Sequence, residues 1–132
     1  MNIISRESDI TIIDDSYNAN YDSMSYAIKY LASLMGGRIA VLGSMFELGD
    51  YTEELHRKIG ALVIDEGIDI LVTVGIEASY IYEEAKGKIE AVHFDNNSDA
   101  IKFLKGIIKP GDYILIKASN SMKFKEIVDA LR

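Results

Sequence analysis

The stretch at residues 12–24, IIDDSYNANYDSM, runs from a buried strand into a helix. Its apolar start is typical of a strand, and helical spacing of apolar residues begins at its last residue. A strand-to-helix turn needs one N-cap, and Asn20 supplies it, with Asp22 favourably placed in the first helical turn. The other polar side chains of the stretch have no structural role that the sequence shows: Asp14, Asp15, Tyr17 and Asn18.

Apolar runs of strand length alternate with segments of helical period along the rest of the chain. Runs rich in β-branched or aromatic residues predict strands at residues 10–13, 39–42, 70–74, 91–94 and 113–116. Apolar residues three and four positions apart predict amphipathic helices at residues 24–35, 55–63 and 101–108, and a last helix at residues 121–132. Glycines, one preceded by proline, stand where helices are expected to end: residues 36–37, 67, 87 and 110–111.

This alternation predicts the fold class. Five strand–helix units in series require crossover connections, which favour a parallel sheet covered on both faces. We therefore expect a doubly wound, mostly parallel, Rossmann-like α/β sheet of five to six strands. The sixth strand is predicted at residues 2–5, paired through a short turn with residues 10–13. No repeat, linker or low-complexity tract divides the chain, so residues 1–132 are predicted to form one domain.

Composition and charge limit the classes of molecule that the chain is expected to bind. The chain has 132 residues, 48% of them hydrophobic, which suffices for one independent core. A formal net charge of -7 and a pI near 4.8 argue against nucleic acid or an anionic membrane surface as a partner. The absence of cysteine excludes disulfides and is compatible with a reducing cytoplasm. Neither a secretory leader nor an apolar run of membrane length is evident.

Ligands of doubly wound folds bind at the carboxyl ends of the strands. The segments that follow the predicted strands are all polar or glycine-rich: residues 14–20, 43–49, 75–77, 95–97 and 117–121. None of them matches the glycine fingerprint of dinucleotide-binding proteins, and the sequence contains no P-loop. The sequence therefore predicts no nicotinamide cofactor and no phosphate-gripping loop in this chain.

Several polar residues have simple structural interpretations. His56 falls within a predicted helix and His93 within a predicted strand, and no second metal-ligating residue lies at a suitable spacing from His93. Both are interpreted as structural. Asn97 or Ser98 is the predicted N-cap of the helix that contains residues 101–108.

A phospho-receiver domain is one alternative. Receivers place paired acids after the first strand, as Asp14 and Asp15 are here, and a lysine after the fifth, as Lys117 is. However, the third strand ends Thr-Val-Gly at residues 73–75, without the acceptor aspartate, and Ala118 replaces the usual proline. The sequence disfavours this alternative.

Four segments carry a more specific resemblance. In order along nearly the whole chain, they are DDSYNAN at residues 14–20, IAVLGSMFELG at 39–49, ELHRKIG at 54–60 and KASNSM at 117–122. Together they resemble the C-terminal domain of the Mur ligases of bacterial peptidoglycan synthesis, in the branch that adds D-alanyl-D-alanine.

The resemblance implies an activity. Such ligases are cytoplasmic, generally monomeric enzymes that use ATP and Mg²⁺, through an acyl phosphate, to join D-alanyl-D-alanine to a UDP-N-acetylmuramoyl-tripeptide. Their first domain holds the UDP sugar, the central one carries the P-loop and Mg²⁺, and the last closes over ATP and the dipeptide. This chain resembles the last domain alone, and we expect it to be inactive without the other two.

The resemblance also implies the site residues. Those implied to bind ATP are Asp15, which contacts the ribose, Tyr17, Asn18 and Asn20. Those implied to bind the dipeptide are Ser44, Lys117, Ser119 and Asn120. No catalytic residue and no metal ligand are implied in this chain. The sequence departs from the usual family pattern at Tyr21 in place of proline, Ser44 in place of aspartate and Ala118 in place of glycine.

Two hypotheses from different functional classes remain. In the first, the chain is one domain of a ligase, with half of a site that other domains complete. In the second, it is a freestanding α/β module that binds a nucleotide or a small acid. The missing P-loop and the absence of a catalytic base favour the first hypothesis.

Overall fold

A computed structural model describes residues 2–5 and 9–132 of the chain. Its strands are β1 (Asn2–Ser5), β2 (Thr11–Asp15), β3 (Gly37–Gly43), β4 (Ile70–Val74), β5 (Glu90–Phe94) and β6 (Asp112–Lys117). Its α-helices are α1 (Tyr21–Ala32), α2 (Thr52–Asp65), α3 (Ser79–Ala85), α4 (Asn97–Ile107) and α5 (Lys125–Leu131). Single 3₁₀ turns at Gly49–Tyr51 and Asn120–Met122 precede α2 and α5.

The strands form one sheet in the order β1-β2-β6-β3-β4-β5. β1 runs antiparallel to β2, and every other neighbouring pair is parallel. The chain passes from β2 through α1 to β3 and leaves a position between them that β6 later fills. The predicted doubly wound fold is confirmed, including the sixth strand at the N-terminal edge.

Two apolar layers cover the two faces of the sheet. One packs α1, α2 and α3 against it and includes Met24, Ile59 and Ile81. The other packs α4 and α5 against the opposite face and includes Leu104 and Phe124. Because the helices that leave β2 and β6 go to opposite faces, a crevice opens between the carboxyl ends of these two strands. Within the described ranges, no helix is both long and apolar enough to cross a membrane.

The structure corrects some boundaries. The strand predicted at residues 10–13 is β2, and it does not stop at residue 13, since Asp14 and Asp15 continue its parallel pairing with β6. The N-cap of α4 is Asn96, whose side chain accepts a hydrogen bond from the Asp99 amide at 2.8 Å, rather than Asn97 or Ser98. Nor do the glycines at residues 36–37 end α1, which stops at Ala32; Gly37 instead begins β3.

The predicted last helix, residues 121–132, is shorter than expected. Lys123 adopts a left-handed conformation, with φ 57°, which separates the preceding 3₁₀ turn from α5. The Asn97 side chain donates to the carbonyl oxygens of Met122 and Lys123, at 3.0 and 3.3 Å. These bonds satisfy carbonyls that a continuous helix would have paired internally.

Candidate functional site

The core of the candidate site is a buried ion pair at the carboxyl ends of β2 and β6. Asp15 and Lys117 lie opposite each other in the parallel register. The Lys117 Nζ donates to Asp15 Oδ2 at 2.6 Å and to the Asn18 carbonyl oxygen at 2.9 Å. The Lys117 side chain is only 1% exposed, whereas that of Asp15 is 19% exposed.

Asp14, the residue before Asp15, has a structural role that the sequence did not reveal. Its Oδ1 accepts from the Ser16 hydroxyl at 2.6 Å and from the Ser16 amide at 3.1 Å, and its Oδ2 accepts from Lys125 Nζ at 3.4 Å. Burial by itself raises the pKa of the Asp14 carboxyl, but the hydrogen bonds from Ser16 and Lys125 outweigh it and hold that pKa below its usual value. Asp14 therefore closes the turn as an ionised acceptor.

The turn between β2 and α1, residues 16–20, presents the side chains of Tyr17, Asn18 and Asn20 to the outside. Tyr17 is 78% exposed, and Asn18 is exposed beside it. Asn20 is the N-cap of α1, as predicted: its Oδ1 accepts from the Ser23 amide at 2.9 Å, and the Ser23 hydroxyl accepts from the Asn20 amide at 3.1 Å. This reciprocal capping box fixes where the turn ends and the helix begins.

Two clefts meet at Asp15, one on each face of the sheet. The α5-side cleft, of about 320 Å³, is lined on its outer side by Tyr17, Asn120, Lys123 and Lys125. The α1-side cleft, of about 550 Å³, is lined by side chains that include Asn18, Asp22, Tyr26 and Lys117. The lysines of the α5-side cleft and Tyr26 were not singled out in the sequence, because their positions follow no motif.

The segment at residues 43–49, which runs from the end of β3 toward α2, turns the polar groups of Ser44, Met45 and Phe46 inward. The Ser44 hydroxyl is fully buried and accepts from the Ala78 amide at 3.1 Å. The Ser44 carbonyl accepts from the Ser119 amide at 3.2 Å, and the Ser119 hydroxyl accepts from the Phe46 amide at 3.0 Å. Ser44 and Ser119 thus tie the ends of β3 and β6 to the start of α3. Asn120, the next residue, is exposed.

His56 is also part of the framework of this loop. The Met45 amide donates to Nε2 at 3.0 Å, and Nδ1 lies 2.6 Å from the Thr52 carbonyl oxygen. An amide can only donate and a carbonyl can only accept, so the ring is neutral and carries its proton on Nδ1. Burial lowers the pKa of His56 below its usual value, against the opposing effects of the Thr52 hydrogen bond and the Glu77 charge.

His93 is held within the sheet. Its Nδ1 lies 2.7 Å from the Thr73 hydroxyl, and burial lowers its pKa below the usual value, although Asp95 and Glu83 act in the opposite direction. Both rings make hydrogen bonds to other parts of the fold, which is what the structural interpretation of the two histidines expects. In the part of the chain that the structure describes, no three histidine or carboxylate side chains are grouped to hold a metal ion.

The structure thus divides the implied site residues into two groups. The first lies around the two clefts, at the ends of β2 and β6: Asp15, Tyr17, Asn18, Asn20, Lys117 and Asn120. The second, Ser44 and Ser119, lies behind them and holds the neighbouring loops in place. The four residues implied for the dipeptide are therefore not equally available to a ligand.

Comparisons with known proteins agree with this architecture. A model of the Mur ligase, glutamate ligase domain, matches residues 1–120. The UDP-N-acetylmuramoyl-tripeptide–D-alanyl-D-alanine ligase of Bacillus subtilis is 38% identical over 99% of this chain and 30% of its own length. The enzyme of the same name from Escherichia coli is 38% identical over 92% of this chain and 26% of its own length.

Solved structures give the same result. A MurF structure from Acinetobacter baumannii superimposes with a TM-score of 0.89 at 30% identity, over 98% of this chain and 29% of that one. MurF ligase from Thermotoga maritima, in complex with ADP, gives 0.85 at 27% identity over the same shares. This chain thus spans less than a third of the length of these relatives. The family model covers nearly all of it, and the chain belongs to the Mur ligase family, as a glutamate ligase domain.

Proposed function

We propose that this chain is the C-terminal domain of an ATP-dependent ligase that adds D-alanyl-D-alanine to UDP-N-acetylmuramoyl-tripeptide in bacterial peptidoglycan synthesis. The observation that carries the proposal is the 38% identity, over 99% of the chain, to a ligase of that name. Residues 1–132 form one domain in this proposal, and the UDP-sugar and central ATPase domains belong to the rest of the ligase. The whole enzyme works in the cytoplasm as a monomer.

The nucleotide side of the proposed site is centred on Asp15. Its Oδ2 is taken by Lys117, whereas among the described residues Oδ1 accepts no hydrogen bond from the protein. A free carboxylate oxygen suits a ribose hydroxyl, which can donate to it. Asn18 borders the nucleotide from the α1-side cleft, and Tyr17, which lines the α5-side cleft, lies between the nucleotide and the dipeptide; Asn20 caps the helix behind them. The ADP in the Thermotoga neighbour supports a nucleotide as the ligand.

Mg²⁺ does not fit this part of the ligase. Both oxygens of Asp14 and one oxygen of Asp15 are already occupied, and the described residues contain no group of three potential ligands. Mg²⁺ requires octahedral oxygen coordination, in which one or two carboxylates usually combine with waters and substrate phosphates. Because this sequence contains no P-loop to hold the phosphates, we assign the metal to the central domain.

The dipeptide side of the proposed site is the α5-side cleft. Asn120 is exposed there and can donate or accept hydrogen bonds, while the Lys123 and Lys125 ammonium groups line the same space and suit a carboxylate. Ser44 and Ser119 act indirectly in this proposal, by fixing the loop and turn beside the cleft. The chain contributes binding and closure, and the phosphoryl transfer takes place on the central domain.

Paired titrations in the full-length ligase test this division. If Asp15 holds the ribose, Asp15→Ala removes a charge-assisted hydrogen bond worth about 1.5–3 kcal/mol, and the KM for ATP rises roughly ten- to a hundredfold. The KM for the dipeptide changes much less. Asn120→Ala gives the opposite pattern. Domain closure couples the two sites, so the ranking of the effects is the result to compare.

Two outcomes contradict the proposal. A larger rise in the dipeptide KM than in the ATP KM for Asp15→Ala refutes the ribose assignment. Release of phosphate from ATP by the pure isolated chain, clearly above a buffer control, refutes its role as a partial site, because the sequence lacks the phosphate-gripping loop that such chemistry requires.

A further inference from the structure

Lys117 is one of the largest fully buried side chains among the described residues, and it is charged. A buried ammonium group is costly unless it is paired and hydrogen-bonded. Here it has two acceptors, the Asp15 carboxylate at 2.6 Å and the Asn18 carbonyl at 2.9 Å. Asp15 ends β2 and Asn18 lies in the turn that follows, so the lysine anchors the start and the middle of the β2–α1 connection at two points three residues apart.

The anchor itself stands on a rigid element. Lys117 is the last residue of β6, and its backbone pairs with Asp15 of β2 on one side and with Leu42 of β3 on the other. The position of its Nζ is therefore set by the centre of the sheet. The bond to Asp15 leaves the second carboxylate oxygen for a ligand, and Tyr17 lies between the two anchored residues with its ring 78% exposed.

We propose that Lys117 is a positioning residue for the nucleotide side of the site, which acts by orienting Asp15 and shaping the turn that carries Tyr17. It is not a contact for the dipeptide. Two of its three N–H donors are already committed, and its side chain is 1% exposed. Lys123 and Lys125 line the α5-side cleft and are accessible to a carboxylate. This inference rests on the proposed function.

A double-mutant cycle in the full-length ligase tests the inference. Lys117→Met should raise the KM for ATP at least about tenfold and leave the KM for the dipeptide within about twofold, because the lost interaction orients only the nucleotide side. In an Asp15→Ala background, the same substitution should change the ATP KM clearly less than it does in wild type, since one of the two groups through which Lys117 acts is already gone and only the bond to the Asn18 carbonyl remains to be lost. The matched control is Lys102→Met, on the exposed surface of α4, which should change neither KM.

The outcomes are separable. Additive effects of Lys117→Met and Asp15→Ala overturn the inference, as does a dipeptide KM that rises more than the ATP KM. If the wild-type ligase does not join D-alanyl-D-alanine at all, the proposed function fails instead, and the next measurement still decides whether the anchor exists.

That measurement uses the isolated chain and no functional assay. In a ¹⁵N-labelled sample, the ammonium protons of Lys117 should exchange with water far more slowly than those of exposed lysines, because they are buried and held by two acceptors. The slow signal should disappear in Lys117→Met and shift in Asp15→Asn. Exchange as fast as that of Lys102 would overturn the inference even if Lys117→Met fails to fold.

Discussion

The β2–α1 turn and the β3–α2 loop both lie at the carboxyl ends of the parallel strands, and both are rich in polar residues or glycine. In the turn, Tyr17 and Asn18 are exposed beside two clefts. In the loop, Ser44 and Met45 are buried and bonded to other elements. Segments of similar composition at the carboxyl ends of the strands can therefore either expose polar side chains to a ligand or form hydrogen bonds that join neighbouring elements of the fold.

The position of each strand explains the difference. β2 is next to the edge strand β1, and the helices on its two sides leave open crevices. β3 lies inside the sheet, between β6 and β4, so the amides that follow it are enclosed and need acceptors. His56 and Ser119 supply them, to Met45 and Phe46.

Gly43→Ala tests how tightly the loop is built, and it should have the largest effect on stability. An added Cβ would lie 2.6 Å from Ala118 Cβ and 2.6 Å from the ring of Phe124, both fully buried. Overpacking of this kind lowers the free energy of unfolding by about 1–3 kcal/mol, and we expect the upper end. The measurement is urea denaturation.

Gly106→Ala is the matched control for this substitution. It lies in α4 with nothing within 4 Å of the added Cβ, so it should raise the free energy of unfolding by up to about 1 kcal/mol through helix propensity. A Gly43→Ala protein as stable as this control would show that the start of the loop is not closely packed.

Ser44→Ala and Tyr17→Ala compare the two regions directly. Ser44→Ala removes the acceptor of the buried Ala78 amide and should lower the free energy of unfolding by about 1–3 kcal/mol. Tyr17→Ala removes an exposed side chain and should change it by less than about 0.5 kcal/mol. If urea denaturation shows an equal loss in the free energy of unfolding for the two variants, the β3–α2 loop does not stabilise the fold more than the β2–α1 turn does.

The framework of the fold could be predicted from sequence because it depends on local patterns. β-branched runs located five of the strands, helical spacing located four of the five helices but not the short α3, and Asn20 was placed correctly as a cap. The division of labour at the site depends on distant partners. Lys117 and Asp15 are 102 residues apart, and Phe46 and Ser119 are 73 apart. No pattern within either segment indicates which polar group another segment will bury.

The start of the last helix shows the same limit. Its apolar spacing predicted one helix from residue 121, but Lys123 breaks the helix with a left-handed conformation. The compensating hydrogen bonds come from Asn97, 25 residues earlier than Met122. Helical period identifies which face is buried, whereas the first helical residue depends on such tertiary contacts.

As the pH falls, the stabilising contribution of His56 at the β3–α2 loop should be lost at a higher pH than that of Asp14 at the β2–α1 turn. The pKa of His56 is lowered from its usual 6.5, so the folded state binds fewer protons than the unfolded state below that pH, and stability is lost as the pH falls below it. From about pH 7.5 to about pH 5.5 the loss attributable to this one group is at most about 1.4 kcal/mol. Asp14, whose pKa is lowered from 3.8, keeps its contribution throughout this range and loses it only at lower pH.

Denaturation at the two pH values, in wild type and in His56→Gln, isolates the contribution of His56, because His93 is common to both proteins. The loss of stability on acidification should be smaller in the variant. An identical pH dependence would mean that His56 does not link the loop to α2 through its neutral ring.

The smallest effect concerns the two asparagines of the turn. Asn20→Ala removes the side-chain acceptor of the Ser23 amide and should lower the free energy of unfolding by about 1 kcal/mol, whereas Asn20→Ser keeps a capping oxygen and should restore most of it. Asn18→Ala should cost less than about 0.5 kcal/mol, because the Lys117 anchor uses the Asn18 carbonyl, which the substitution retains. Thermal or urea denaturation of the three variants measures these differences. If Asn18→Ala lowers the free energy of unfolding as much as Asn20→Ala does, the exposed side chain of Asn18 contributes to the fold. The contrast between a turn whose side chains are available to a ligand and a loop whose side chains stabilise the fold would then not hold for Asn18.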